Sequence, residues 1–146
     1  MTSPLPVVTA VESPRAPVVV VDDEPRTAQV LAELLAMDGL DVEVCAAARL
    51  SDRLAGGPTP GGLVMNVSMA RADDVRVVRQ VRAEHPALPV FIVTEYPHLA
   101  TRLGPQLAAQ AAVFTKPVDY PALLGVLRMA TAPLHLQMAQ AQESPW

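Results

Sequence analysis

Polar residues that could form a binding site follow four apolar runs of the sequence. They are Asp22 and Asp23, Asn66, Thr94, and Lys116. Two carboxylates, an amide, a hydroxyl and an ammonium group would together make a strongly polar site if the chain brings them to one place. Asn66 raises a specific question, because an amide oxygen is neutral and is a poor nucleophile compared with a carboxylate.

The apolar runs alternate with segments of helical periodicity, which indicates how the polar residues are positioned. The run Val18–Val21 is continuous and β-branched, as is typical of a strand buried on both faces of a parallel sheet. Five such strands alternate with five predicted helices, and this rhythm predicts βαβ units. Because the carboxyl ends of parallel strands meet at one edge of the sheet, we expect the polar residues to cluster there.

The composition limits the classes of protein to consider. The chain has 146 residues, of which 51% are hydrophobic, and a net charge of −4. A negative charge argues against a nucleic-acid partner, because phosphate contacts need a basic face. Cys45 is the only cysteine, so no internal disulfide can form, and we expect it to be a small buried residue. The sequence predicts a cytoplasmic protein that does not bind membranes.

The chain divides into a central domain and two flanking segments. Residues 1–16 contain three prolines and show no clear period, so we expect a flexible N-terminal extension. The alternating elements occupy residues 17–132, and residues 133–146 are a predicted C-terminal tail.

Three motifs give the chain a family resemblance from about Pro17 to Ala130. The segments "VVVVDDEP", "FIVTEYP" and "FTKPVDYPALL" resemble the acidic-pair, Thr and Lys-Pro motifs of the receiver domain of bacterial response regulators. The resemblance implies a flavodoxin-like, doubly wound α/β fold with five helices, in which the five parallel strands have the order 2-1-3-4-5.

The same resemblance implies roles for the polar residues. Asp22 and Asp23 correspond to the pair that holds Mg²⁺, and Thr94 and Lys116 to the residues that contact the phosphoryl group. The Lys116–Pro117 peptide bond is expected to be cis. Asn66 occupies the position of the aspartate that accepts phosphate from a histidine kinase. We expect no phosphorylation there and only weak binding of Mg²⁺, because a hard cation prefers charged oxygens.

Other positions also depart from the family pattern. Val113 stands where the family has an aromatic switch residue, and strand alternation should direct Phe114 to the opposite face. Glu95 and Ala70 replace a small residue and a proline, respectively. Pro105 should shorten or kink the fourth helix.

These departures leave three functional hypotheses open. The first is a receiver-like signalling module that is not phosphorylated at Asn66 and acts through protein–protein contacts. The second is a phosphorylatable receiver in which Asn66 is an Asp-to-Asn change. The third is a flavodoxin-like domain that binds a small molecule, which the acidic segment "DDEPRT" disfavours because it would repel a phosphate. None of them makes the domain an enzyme.

The partner is expected to be a protein, either a histidine kinase or another signalling protein. Leu127 and Met129 on the last helix are the predicted interaction face, which would also support a weak homodimer. Arg76, Arg79 and Arg82 step by three along the third helix and form a predicted basic stripe.

Overall fold

A computed structural model describes residues 16–68, 72–105 and 111–132 of the chain. The predicted tail and, except for Ala16, the predicted N-terminal extension lie outside these ranges, as does Ala70. None of the helices in the described ranges is long and apolar enough to cross a membrane.

A five-stranded parallel sheet forms the centre of the domain. Its strands are β1 (Val18–Val21), β2 (Val42–Cys45), β3 (Gly62–Asn66), β4 (Val90–Thr94) and β5 (Ala111–Thr115). The spatial order is β2-β1-β3-β4-β5, and every neighbouring pair is parallel. The strand order expected from the sequence is therefore confirmed.

The interior strand β1 explains why the sheet needs helices on both faces. All four of its valines are at most 3% exposed. Val19 and Val21 belong to one hydrophobic cluster, and Val18 and Val20 belong to the cluster on the other face. A strand that buries both faces reads as a continuous apolar run, which is the pattern that predicted it.

Helices cover the two faces of the sheet. They are α1 (Pro25–Met37), α2 (Leu50–Ala55), α3 (Ala72–Glu84), α4 (Leu99–Leu103) and α5 (Tyr120–Thr131), and a 3₁₀ turn at Ala47–Arg49 precedes α2. Pro25 lies in the first turn of α1, and Gly39 follows that helix with a φ of 93°, a backbone conformation that favours glycine. Asp119 caps α5 by accepting a hydrogen bond from the Ala122 amide at 3.2 Å.

The fourth helix is short, as expected from the sequence. Helix α4 has five residues and ends at Leu103, and Gly104 follows it with a φ of 90°. The predicted continuation of this helix, residues 106–110, lies outside the described residues.

Helix α5 corrects one prediction about the interaction face. Leu123 and Leu127 are both 0% exposed and pack in the same hydrophobic cluster. Their spacing of four residues places them on the face of α5 that contacts the sheet. The prediction that Leu127 lies on an exposed surface is therefore wrong. Val126 and Met129, which are 36% and 55% exposed, are the large apolar residues that α5 presents outward.

Cys45 is half-buried at the end of the edge strand β2 and packs against a hydrophobic cluster. Burial raises the pKa of its thiol, so the thiolate is disfavoured. Cys45 thus behaves mainly as a small packing residue.

Candidate functional site

A cavity of about 330 Å³ lies at the carboxyl edge of the sheet. Asp22 and Asp23 enter it from the end of β1, Asn66 from the last position of β3, and Lys116 from the residue after β5. Four of the five polar residues singled out in the sequence therefore line one cavity. The topology brings them together, because parallel strands end at the same edge.

Asp22 is the most enclosed carboxylate of the cavity, with a relative exposure of 9%. Its Oδ1 accepts a hydrogen bond from the Glu24 amide at 2.8 Å and a second from the Asn66 Nδ2 at 3.3 Å. A carboxylate buried to this extent needs such donors, since an unpaired buried charge is costly. In this arrangement the Asn66 side chain acts as a hydrogen-bond donor to its acidic neighbour.

Asp23 is exposed and contacts the opposite wall of the cavity. Its Oδ1 accepts a hydrogen bond from the backbone amide of Ala47 at 3.1 Å, where the 3₁₀ turn begins. This contact ties the loop after β1 to the loop after β2. The two adjacent carboxylates are therefore held by different elements.

Thr94 does not line the cavity with the other four residues. It is 0% exposed, and its Oγ1 accepts a hydrogen bond from the Tyr96 amide at 3.1 Å. The hydroxyl therefore stabilises the turn that follows β4. The phosphate-contact role of Thr94 stays a prediction.

Lys116 is placed by the end of the sheet. Its backbone amide donates to the Thr94 carbonyl at 2.7 Å, and the Lys116–Pro117 bond is cis, as expected. Although Lys116 shares the cavity with the acids, it forms no salt bridge within 4.0 Å among the residues that the structure describes. Its charge is thus available to the cavity as a whole.

The cavity contains more acid than the sequence motifs indicate. Besides the Asp22–Asp23 pair, the lining side chains include Glu24, Asp74 and Glu95. Among the described residues, five acidic residues and one lysine therefore line the cavity. Asp74 is not among the residues that the motifs indicate. It lies in the first turn of α3, and its Oδ2 accepts a hydrogen bond from the Ser68 amide at 2.8 Å. The pair of acids at the start of that helix could have indicated this position in the sequence, since acids favour helix N-termini.

The predicted switch position has the expected orientation. Val113 packs against one hydrophobic cluster and Phe114 against the cluster on the other face of the sheet. The alternation predicted for β5 is confirmed, and the side chain on the face of Val113 is small.

The arginine stripe on α3 contacts its own chain. Arg79 Nη2 donates to the Leu103 carbonyl at 3.4 Å, and Arg82 donates to the carbonyls of Pro86, at 2.8 Å, and Leu88. These bonds satisfy a carbonyl group at the end of α4 and two carbonyl groups in the loop between α3 and β4. Two of the three guanidinium groups therefore have structural roles, which weakens the prediction that the stripe is a binding surface. Arg76 is exposed.

Comparisons with solved structures agree with this architecture. A response regulator receiver protein from Pseudomonas putida superposes with a TM-score of 0.69 at 23% identity, covering 80% of this chain and 98% of that chain. The response regulator TrrA from Thermotoga maritima, solved in complex with Mg²⁺ and BeF, has a TM-score of 0.61 at 20% identity, covering 77% of this chain and 98% of that chain. The fold is therefore the flavodoxin-like α/β fold with five parallel strands.

The sequence comparisons define the family. The family model for the response regulator receiver domain matches residues 18–128. Response regulator MprA of Mycolicibacterium vanbaalenii is 28% identical over 111 residues, which are 76% of this chain and 48% of that protein. The chain belongs to the response regulator receiver domain family. It spans between 24% and 55% of the length of the curated relatives it matches.

Proposed function

We propose that this receiver domain is a signalling module that is not phosphorylated at residue 66 and that acts through contacts with a protein partner. The observation that carries the proposal is the position of Asn66. Its side chain lies at the carboxyl end of β3, at the phospho-acceptor position that the family motifs imply, and donates a hydrogen bond to Asp22. An aspartate here would present an anionic oxygen, whereas Asn66 presents a neutral amide.

The chemistry of phosphoryl transfer supports this interpretation. An acceptor must place a nucleophilic oxygen in line with the phosphorus, and an amide oxygen is a poor nucleophile. The acyl phosphate of a normal receiver would therefore not form on Asn66. The lining of the cavity also disfavours an anionic donor, because among the described lining residues five are acidic and one, Lys116, is basic.

The donor set of the cavity supports weak binding of Mg²⁺ at most. Asp22 and Asp23 supply carboxylate oxygens, and Asn66 could add its amide oxygen, since oxygen ligands suit Mg²⁺. However, the Asn66 amide is neutral, and its Nδ2 already donates a hydrogen bond to Asp22. If Mg²⁺ binds, it would neutralise part of the acidic cavity.

A second candidate function is a phosphorylatable receiver in which Asn66 replaces an aspartate. It is favoured by the intact layout of the rest of the site: Asp22, Asp23 and Lys116 all line the cavity. In this case only the acceptor is missing, and the remaining groups would be competent.

The proposed partner is a protein, either a histidine kinase or another signalling protein. The proposal assigns no catalytic residue to the domain. A domain that cannot change its phosphorylation state would have to be recognised in the conformation described here, or be regulated by binding.

The experiment that tests the proposal is incubation with a small phosphodonor and Mg²⁺, followed by intact-mass spectrometry. We expect no adduct of about 80 Da on the unmodified sequence, because a phosphoryl group needs an acceptor oxygen. Asn66→Asp is the informative variant, and Asn66→Ala is its matched control. An adduct mapped to Asn66 would refute the proposal, whereas rapid labelling of Asn66→Asp alone would favour the second candidate.

A further inference from the structure

The negative charge of the chain is concentrated in the cavity at the carboxyl edge of the sheet. The chain has 15 acidic and 11 basic residues, and its net charge is −4. Five of the acids and one of the bases, Lys116, belong to the described lining of the cavity. Outside this lining the acidic and basic residues are therefore equal in number, at ten each. A cationic ligand is attracted to this cavity rather than to the surface as a whole.

Asp22 gives the cavity an acceptor that has no partner in the domain. Its side chain is enclosed, with a relative exposure of 9%, and the hydrogen bonds from Glu24 and Asn66 both go to the same oxygen, Oδ1. Its Oδ2 accepts no hydrogen bond from any residue that the structure describes. Because an enclosed carboxylate oxygen needs a donor, this atom marks a position at which a ligand with N–H groups would bind.

The acids of the lining come from different elements of the fold. Asp22, Asp23 and Glu24 follow β1, Asp74 lies in the first turn of α3, and Glu95 follows β4. Within the described ranges, no three acidic, His or Cys side chains lie close enough together to hold a metal ion. The arrangement therefore suits a cation that is broader than Mg²⁺ and that carries its own hydrogen-bond donors.

A guanidinium group has these properties. It is planar, it is always charged in proteins, and it presents five N–H donors, so it binds carboxylates without the close coordination that a metal ion demands. A cavity of about 330 Å³ has room for the end of an arginine side chain. This side chain is also long enough to reach an enclosed acceptor such as Asp22 from outside the domain.

The basic residues around the cavity do not occupy this position. Lys116 is the basic residue of the described lining, but no salt bridge within 4.0 Å joins it to a described acid. Arg26 and Arg76 lie on α1 and α3, the helices that begin beside the cavity, and neither is a lining residue. Arg71 lies outside the described residues. The ammonium group of Lys116 thus offsets part of the negative charge and leaves the acceptor on Asp22 open.

We propose that the protein partner of this domain inserts an arginine side chain into the acidic cavity, with its guanidinium group donating to Asp22 Oδ2. Glu24 and Glu95, which are exposed, supply further negative charge around it. The inference rests on the proposed function, because it names the chemistry by which the unphosphorylated domain recognises its partner. It gives the cavity a role that requires no phosphoryl group.

The test uses the full chain and a five-residue peptide, acetyl-Gly-Ser-Arg-Ser-Gly-amide, in an NMR titration of the backbone amide signals. The matched control peptide has citrulline in place of arginine, which has nearly the same shape and no charge. We expect the arginine peptide to bind with a Kd of about 1–10 mM at about 20 mM salt, and more weakly as the salt concentration rises. It should shift the amide signals of Glu24, Ser68 and Glu95. The citrulline peptide should bind at least about tenfold more weakly.

Three variants locate the binding site of the arginine peptide. Asp22→Asn should raise its Kd by about tenfold, the loss expected when a charge-assisted hydrogen bond is removed. Glu95→Gln should raise it by about two- to fivefold, the range expected for an exposed ion pair, and keeps the test valid if Asp22→Asn does not fold. Glu33→Gln is the matched control, because Glu33 is an exposed acid on α1 outside the cavity lining, and it should leave the Kd unchanged. The same spectra show whether each variant is folded.

Absence of binding, or equal binding of the arginine and citrulline peptides, would overturn the proposal. Equal losses from the cavity variants and from Glu33→Gln would also overturn it, because they would show only a general attraction between a cation and an acidic protein. Signal shifts confined to residues away from the cavity would have the same consequence. The titration uses no phosphodonor, so its failure would leave the proposed absence of phosphorylation at residue 66 untouched, whereas an adduct on Asn66 would refute that proposal alone.

Discussion

Replacing Asn66 by aspartate would add a sixth acidic residue to a cavity whose described lining has five acidic residues and one lysine. The Asn66 Nδ2 lies 3.3 Å from Asp22 Oδ1, so a carboxylate in its place must turn away from Asp22 or repel it. We predict that Asn66→Asp is less stable than the unmodified protein in the absence of a divalent cation.

The magnitude follows from the distance and the partial burial of the pair. Two unit charges that relax to about 5 Å repel by roughly 3 kcal/mol at an effective dielectric constant of about 20. Solvent screening at the half-exposed residue 66 lowers this value, so we expect a loss of about 2 kcal/mol in the free energy of unfolding. For a domain of this size, that corresponds to a fall of roughly 5–10 °C in Tm.

The assay is thermal unfolding with and without about 10 mM MgCl₂, compared at matched ionic strength with NaCl, because a hard cation should bind the three clustered acids. Asn66→Ala is the matched control, since it loses the same hydrogen bond to Asp22 without adding a charge. We expect Asn66→Asp to be less stable than Asn66→Ala without Mg²⁺ and to gain more from Mg²⁺. Equal stability of the two variants in both conditions would refute the electrostatic reasoning.

The strands and their order could be predicted from the sequence because their signal is local. The run Val18–Val21 is buried on both faces, and a continuous β-branched run is typical of a strand in that position. The alternation of Val113 and Phe114 followed from the two-residue period of a strand. The gathering of the polar residues then followed from the parallel topology alone.

Which side of each helix is buried was less predictable, because it depends on where the helix begins and how it lies on the sheet. On α5 the choice between Val126 and Leu127 could not be made from apolarity, since the two residues are neighbours and both are large. The structure places Leu127 at 0% exposure and Val126 at 36%. On α1 the sequence does indicate an exposed apolar surface, because the helix has more apolar residues than one buried face can accommodate.

The details of the cavity required contacts that span several elements. Thr94 Oγ1 accepts a hydrogen bond from the Tyr96 amide, a contact that apolar periodicity does not predict. Asp74, in the first turn of α3, lines the cavity and accepts a hydrogen bond from the Ser68 amide. Such arrangements depend on loop conformation, which apolar periodicity does not encode.

Two further predictions concern packing and pH. Gly61→Ala should destabilise the domain by about 1–3 kcal/mol in urea unfolding, because overpacking is costly and the new Cβ would lie 2.9 Å from Thr131 Cγ2. Gly125→Ala is its control, because nothing lies within 4 Å of the new Cβ, and it should stabilise α5 by about 0.5–1 kcal/mol. Equal effects of the two substitutions on stability would contradict the close packing at Gly61. Burial, together with a hydrogen bond to Asp38 Oδ2 at 2.7 Å, raises the pKa of the Tyr120 hydroxyl from 10.0 to about 12. Because folding disfavours the phenolate, the stabilisation is complete below the unfolded pKa and is lost as the pH rises from about 10 to about 12. We expect Tyr120→Phe to be less stable at neutral pH, by about 1 kcal/mol, and to lose less stability than the unmodified protein over that alkaline range. Parallel pH dependences of the two proteins, measured as urea midpoints, would show that Tyr120 is not the titrating group.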